Sequence, residues 1–259
     1  MLREIFNNNH KVLNIYLTAG YPDIKKFEEL IVFFSENGVD IIEIGIPFTE
    51  PVADGEIIQK STNIAIENNI TLTKTFKIIE SLRKKIKSKL VFMSYYNPIF
   101  IYGEEKFISK LVSVGVDGVI VPDLPAEEGK NFYKMCINAG IETILLITTI
   151  TPAERIKIIS NLTSGFLYLV SVLGTTGVRD NLPDLKSKIK AIKKDVKLPV
   201  CVGFGIKSPE SILQFIDIVD GIIIGSAIIE IIEKYKKNEK KMFQHLHKFI
   251  YSFQKALKI

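Results

Sequence analysis

Short runs of apolar, β-branched residues recur along the chain, and stretches with helical spacing separate them. The first run is Val12–Thr18. The next is Ile41–Ile46, where isoleucines occupy both alternating faces, as expected of a strand covered on both sides. Further runs are Leu90–Ser94, Phe166–Val170 and Leu198–Val202. Three more begin after Asp117, Glu142 and Asp220, each preceded by an apolar residue and an acid: Gly115-Val116-Asp117, Gly140-Ile141-Glu142 and Val219-Asp220. With Gly38-Val39-Asp40 before the second run, these near copies each predict a helix stop, a tight turn and a buried strand. Helical spacing predicts helices from about Asp23 to Asn37 and over Leu72–Ile86, Glu104–Val114, Ala126–Ala139, Pro152–Leu162, Leu185–Lys193 and Pro209–Ile218.

Eight buried strands alternating with helices imply a parallel sheet, and in this length a closed one. The fold class is therefore α/β, a single (β/α)8 (TIM) barrel domain over residues 1–259. A doubly wound open sheet is the competing arrangement. Three additions are predicted: an amphipathic N-terminal helix, an extra helix within Ala53–Glu67 after the second strand, and a terminal helix over Asn238–Ile259. In the last, Phe243, Leu246, Phe249, Ile250 and Phe253 fall on one stripe, which reads as core.

Composition narrows the function classes. The 259 residues are 47% hydrophobic and 24% charged, enough for a large core. The net charge of +5 comes from lysines scattered over helices, without a basic stripe interleaved with aromatics, so no nucleic-acid surface is predicted. No apolar run reaches the length of a membrane span, and the N-terminus lacks the apolar core of a signal peptide. A soluble, cytoplasmic protein is expected. Cys136 and Cys201 are isolated on apolar segments, and His10, His245 and His247 lack ligand spacing, so neither a disulfide framework nor a metal site is predicted.

The stretch Ile41–Gln59 carries the densest chemistry. Glu43 lies in the middle of a buried strand, where an unpaired charge is costly and the pKa rises toward the range useful for proton transfer. A structural carboxylate satisfied by Lys or Arg has the same pattern. Pro47 ends the strand, and Asp54-Gly55 follows where the loop hands over to a helix; alone, Ala53-Asp54-Gly55 is also an ordinary turn.

Two glycine-bearing turns follow the last two strands, at Val202-Gly203-Phe204-Gly205-Ile206 and at Gly225-Ser226-Ala227, which opens a helix. Barrel enzymes often cradle a phosphate there, with backbone N–H groups and the Ser226 hydroxyl as donors. After the sixth strand, Val172–Arg179 is small, polar and bounded by glycine, as a lid would be.

The segment Ile42–Gln59, with Glu43, Gly45, Pro47-Phe48, Pro51 and Ala53-Asp54-Gly55, closely resembles the signature of the tryptophan synthase alpha chain family. The resemblance extends over essentially the whole chain, including Tyr95-Tyr96-Asn97-Pro98 and Pro122-Asp123-Leu124-Pro125. It implies retro-aldol cleavage of indole-3-glycerol phosphate to indole and glyceraldehyde 3-phosphate, with Glu43 and Asp54 as the catalytic pair. It implies substrate contacts from Tyr16, Tyr95, Tyr168 and Thr176, and phosphate contacts from Gly177, Gly205, Gly225 and Ser226. No cofactor is implied for this chain; pyridoxal phosphate would belong to a beta chain, the partner in an α2β2 tetramer that receives the indole. Departures are Glu50 where aspartate is usual, Gly174-Thr175-Thr176-Gly177 in the lid, and Leu146–Thr151 after the fifth strand. A stand-alone indole-3-glycerol phosphate lyase and a non-catalytic activating subunit of the beta chain are the alternatives; a third, another phosphate-binding barrel of the same pathway, would lack the Glu43…Asp54 signature.

Overall fold

The computed structural model describes residues 2–7, 10–171, 185–203 and 205–258. Its strands are β1 Val12–Thr18, β2 Ile41–Gly45, β3 Lys89–Met93, β4 Gly118–Ile120, β5 Glu142–Thr148, β6 Leu167–Val170, β7 Val200–Gly203 and β8 Gly221–Ile224. They pair in parallel in chain order, and β8 returns to β1 to close the barrel. The predicted barrel, not the open sheet, is what forms.

The described helices are α1 Ile24–Glu36, α2 Glu56–Glu67, α3 Leu72–Leu82, α4 Tyr96–Tyr102, α5 Glu104–Val114, α6 Lys130–Asn138, α7 Ala153–Ser160, α8 Leu185–Asp195, α9 Ser226–Tyr235 and α10 Glu239–Leu257. Helix α2 is the extra helix after β2. The terminal helix α10 begins at an Asn238 side-chain cap and buries Met242, Leu246, Ile250, Phe253 and Leu257; Phe243 and Phe249 flank that stripe, partly buried. No helix among the described residues is long and apolar enough to cross a membrane.

Several elements depart from the expectation. The N-terminal helix is a short 3-10 helix, Leu2–Phe6, with Leu2 wholly buried. The segment Pro209–Ile218 forms a 3-10 helix only over Pro209–Ile212, followed by turns. Its buried Ile212 and Phe215 are three residues apart, a spacing met by three-residue turns, and the Phe215 N–H donates to the Ile212 carbonyl at 3.0 Å. Helix α6 starts at Lys130 and not at Ala126, because turns at 126–129 precede its Gly129 cap. Helix α3 ends at Leu82, and a 3-10 turn, Arg83–Lys85, completes the predicted span. Helix α4 was not anticipated: Pro98 in its first turn reads as a breaker, yet proline is tolerated there.

The repeated valine–aspartate units have a common physical role. Asp40, just before β2, accepts the Leu13 N–H of β1 at 2.8 Å. Asp117, before β4, accepts the Leu90 N–H of β3 at 3.0 Å, and Asp220, before β8, accepts the Val200 N–H of β7 at 2.8 Å. Each carboxylate ties the start of its own strand to the start of the preceding one. Each also has a basic partner: His10 for Asp40, Lys89 and Arg83 for Asp117, Lys193 for Asp220. These pins lie at the N-terminal end of the barrel and leave the opposite end free for loops.

Candidate active site

The parallel register aligns Tyr16 of β1 with Glu43 of β2, so both side chains project into the barrel at one level. Glu43 is buried, and its Oε2 accepts a hydrogen bond from Asn14 Nδ2 at 3.1 Å. The glycine that follows on β2 makes room for the tyrosine. A Cβ on Gly45 would stand 2.0 Å from the Tyr16 hydroxyl oxygen. The same device recurs across the barrel, where a Cβ on Gly203 would stand 2.5 Å from the Tyr168 hydroxyl oxygen.

Asp54 sits in the loop between β2 and α2, with Gly55 as the helix cap. Its Oδ2 accepts from the Tyr95 hydroxyl at 3.0 Å, and that hydroxyl in turn accepts the Ala53 N–H at 3.0 Å. Gln59 Nε2 holds the Asp54 carbonyl at 2.8 Å. The Phe48 ring lies 5.3 Å from the Tyr95 ring and closes the back of the loop. Within α2, the Ser61 hydroxyl lies 2.6 Å from that of Thr18 at the end of β1, which docks the helix on the barrel rim.

Glu43, Asp54, Tyr16 and Tyr168 face one cleft of about 350 Å³ at the C-terminal ends of the strands. Its walls include Ile58, Met93 and Ile223, and its far side is Gly205, Ile206, Lys207, Gly225 and Ser226. Gly225 precedes α9, so the first N–H groups of that ten-residue helix start at this wall. The arrangement is amphiphilic: two carboxylates among apolar and aromatic walls, opposite a donor-rich end.

Burial sets the two carboxylates apart from ordinary ones. Glu43 is pushed up from 4.5 to about 8, mainly by loss of water; the Asn14 hydrogen bond opposes the rise and the Asp54 charge adds to it. Asp54 rises from 3.8 to about 6, again through burial, with the Tyr95 hydrogen bond opposing. At about pH 7 the site therefore holds a protonated Glu43 and a mostly ionised Asp54, one proton donor and one anion.

The structure brings together seven of the ten predicted site residues: Tyr16, Glu43, Asp54, Tyr168, Gly205, Gly225 and Ser226 all reach this cleft. Tyr95 is placed differently, behind Asp54, which it holds from outside the cleft lining. Thr176 and Gly177, with the predicted lid Val172–Arg179, lie outside the described residues. Two lining or supporting residues were missed. Lys207 directly follows the glycine turn after β7, and a basic residue there was a readable signal. Asn14 shares the parity of Tyr16 on β1, and an amide inside an apolar strand was equally visible.

Comparison with known proteins agrees with this geometry. The family model described as tryptophan synthase alpha chain matches residues 2–258. The chain belongs to the tryptophan synthase alpha chain family. It is 41% identical to the tryptophan synthase alpha chain of Petrotoga mobilis over 254 residues, covering 98% of each chain. It is 39% identical to that of Bacillus cereus over 239 residues, covering 92% of this chain and 93% of the relative. Among solved structures, the tryptophan synthase subunit alpha of Legionella pneumophila superposes with a TM-score of 0.90 at 33% identity, covering 99% of this chain and 96% of that one. A chain of the tryptophan synthase α2β2 complex of Pyrococcus furiosus gives a TM-score of 0.83 at 35% identity, covering 94% and 98%. In this member of the tryptophan synthase alpha chain family, Glu43 and Asp54 line one cleft at the C-terminal ends of the strands.

Proposed function

We propose that this chain cleaves indole-3-glycerol phosphate to indole and glyceraldehyde 3-phosphate, working as the alpha subunit of an α2β2 tryptophan synthase. The observation that carries the assignment of residues is the unlike pair in one cleft: a buried Glu43 that keeps its proton near neutrality and an Asp54 that has mostly lost it. Glu43 delivers a proton to the indole C3 and accepts one from the glycerol hydroxyl, so the residue is restored as the carbon–carbon bond breaks. Asp54 accepts the indole N–H and stabilises the positive character that develops there. Tyr16 and Tyr168 flank the indole, and Thr176 would meet Asp54 from the lid. The phosphate takes N–H groups at Gly205, Gly225 and Gly177 and the Ser226 hydroxyl. No step in this scheme calls on a cofactor.

Docking of a beta chain is supported by the apolar rim around the loops after β2 and β3. Val52, Phe100 and Ile101 are 80%, 66% and 76% exposed, high for large apolar side chains. The Ala53–Tyr95 hydrogen bond and the Phe48–Tyr95 contact join these loops directly behind Asp54, so a partner seated there bears on the catalytic loop. The free thiols of Cys136 and Cys201, both buried, suit a reducing cytoplasm, and residues 1–259 act as one barrel domain in this reading. The test is indole release from indole-3-glycerol phosphate, with and without a beta subunit, beside Glu43→Gln. Release accelerated by the partner and abolished by the substitution is expected. No release under any condition, with the partner still activated, would leave a docking subunit.

A further inference from the structure

The barrel interior beside Glu43 holds a polar group with no part in the scheme above. Asn14 lies on β1, two residues before Tyr16 and on the same face, and is completely buried. Its neighbours in register are Ile41 on β2 and Ile223 on β8. Asn14 Nδ2 donates to Glu43 Oε2 at 3.1 Å, while Asn14 Oδ1 is buried with no hydrogen-bond partner among the described residues. A leucine would fill this apolar position and leave no acceptor unmet. The fold instead tolerates an orphan carbonyl oxygen, and what the amide supplies in exchange is its N–H.

That N–H decides which carboxyl oxygen is free. With Asn14 occupying Oε2, the proton of the acid form resides on Oε1, and Oε1 is the oxygen left for a bound substrate. We propose that Asn14 is a positioning residue for Glu43, fixing Oε2 so that Oε1 carries the proton in both transfers. The proposal rests on the lyase reading of the cleft. Its proton balance is simple: Oε1–H gives its proton to the indole C3, the carboxylate takes one back from the glycerol hydroxyl, and Asn14 gains and loses none. The other titratable groups around Glu43 are Tyr16 on β1, Asp54 in the loop after β2, Tyr168 on β6 and Cys201 on β7. Burial holds the protons of Tyr16, Tyr168 and Cys201 far above their ordinary ranges, which leaves Asp54 as the one charge among these that Glu43 meets.

The experiment compares the wild-type chain with Asn14→Leu and the isosteric Asn14→Asp. Two readouts are taken: the titration of the Glu43 carboxyl by 13C NMR on the free chain, and the pH profile of indole release with the beta subunit present. Loss of the N–H donor is expected to raise the Glu43 midpoint by about one pH unit in Asn14→Leu, and further in Asn14→Asp, where a like charge replaces the donor. The kcat falls about tenfold with KM within about twofold, and the Glu43 limb of the pH profile moves with the carboxyl midpoint. An unchanged midpoint in both variants overturns the proposal, and a kcat loss that merely tracks the folded fraction does the same. The carboxyl titration needs no substrate, so a wild-type chain that releases no indole defeats the lyase reading alone.

Discussion

Three aspartates at one end of this barrel and two acids at the other are held in opposite ways. At the N-terminal end, Asp40, Asp117 and Asp220 each accept a strand N–H and each face a basic side chain. At the C-terminal end, Glu43 is buried with one amide donor and Asp54 with one tyrosine hydroxyl, and neither forms an ion pair among the described residues. Paired acids fasten strands. Acids left with few partners in a cleft with apolar walls have their pKa values raised toward neutrality, which is the range that proton transfer requires. The same chemical group thus supplies stability at one end and reactivity at the other, and the difference lies in what surrounds it.

The sharpest way to break that contrast is to neutralise one acid at the reactive end. Glu43→Gln keeps the shape and the Asn14 contact but has no proton to exchange, and should lower kcat for indole release by about 100- to 10,000-fold. Its stability should move the other way. The folded Glu43 holds its proton up to about pH 8, whereas an unfolded one releases it near 4.5. Between those values the folded chain binds the extra proton, so raising the pH favours unfolding, at up to roughly 1.4 kcal/mol for each pH unit. Urea unfolding across that window should show wild-type stability declining by a few kcal/mol and Glu43→Gln declining much less. Asp54, raised from 3.8 to about 6, leaves a residual slope at the acidic side. Equal slopes in the two proteins would mean that Glu43 is ionised in the folded state.

Substitution at the other end should cost stability and spare chemistry. Asp117→Asn removes the charge that faces Lys89 and Arg83 and weakens the Leu90 N–H bond. A loss of about 1–3 kcal/mol is expected in the same urea experiment, with kcat per folded molecule unchanged. A fall in kcat of the folded fraction would show that the two ends are coupled through the strands.

How much of this was legible beforehand follows the same division. The strands were plain because both of their faces are apolar, and the repeated aspartates marked where β2, β4 and β8 begin, although their shared role as strand pins was visible only in three dimensions. Glu43 stood out because a lone acid in such a run violates the pattern. Asp54 did not, since a turn aspartate is common, and it acquired meaning only from the resemblance and then from its place opposite Tyr95. Tyr95 itself was expected against the substrate; sequence carries no information on which side of Asp54 it stands. The segment Pro209–Ile218 read as a helix because its apolar spacing of three and four residues suits α and 3-10 turns alike.

Tyr95→Phe sharpens the comparison at a smaller scale. It removes the hydroxyl that donates to Asp54 and accepts from Ala53, while the ring that packs on Phe48 stays. Without that donor the Asp54 carboxylate is less favoured, so its midpoint should rise above about 6 and the acid limb of the indole-release profile should move up with it. The stability change should be about 1 kcal/mol or less at acidic pH, where Asp54 is protonated anyway.

The smallest effect on the isolated chain should come from the exposed rim. Phe100→Asp replaces a side chain that is 66% exposed on α4, so the fold should lose no more than about 0.5 kcal/mol. Basal indole release by the chain alone should be unchanged, because Phe100 lies outside the cleft lining. What should disappear is the response to the beta subunit: a carboxylate introduced at an apolar docking surface has to be desolvated on association, which typically weakens binding tenfold or more, that is by about 1.4 kcal/mol or above. Titrating the beta subunit against indole release measures this directly. An unchanged half-saturation point would move the docking surface away from the loops after β2 and β3, and with it the route by which a partner reaches Asp54.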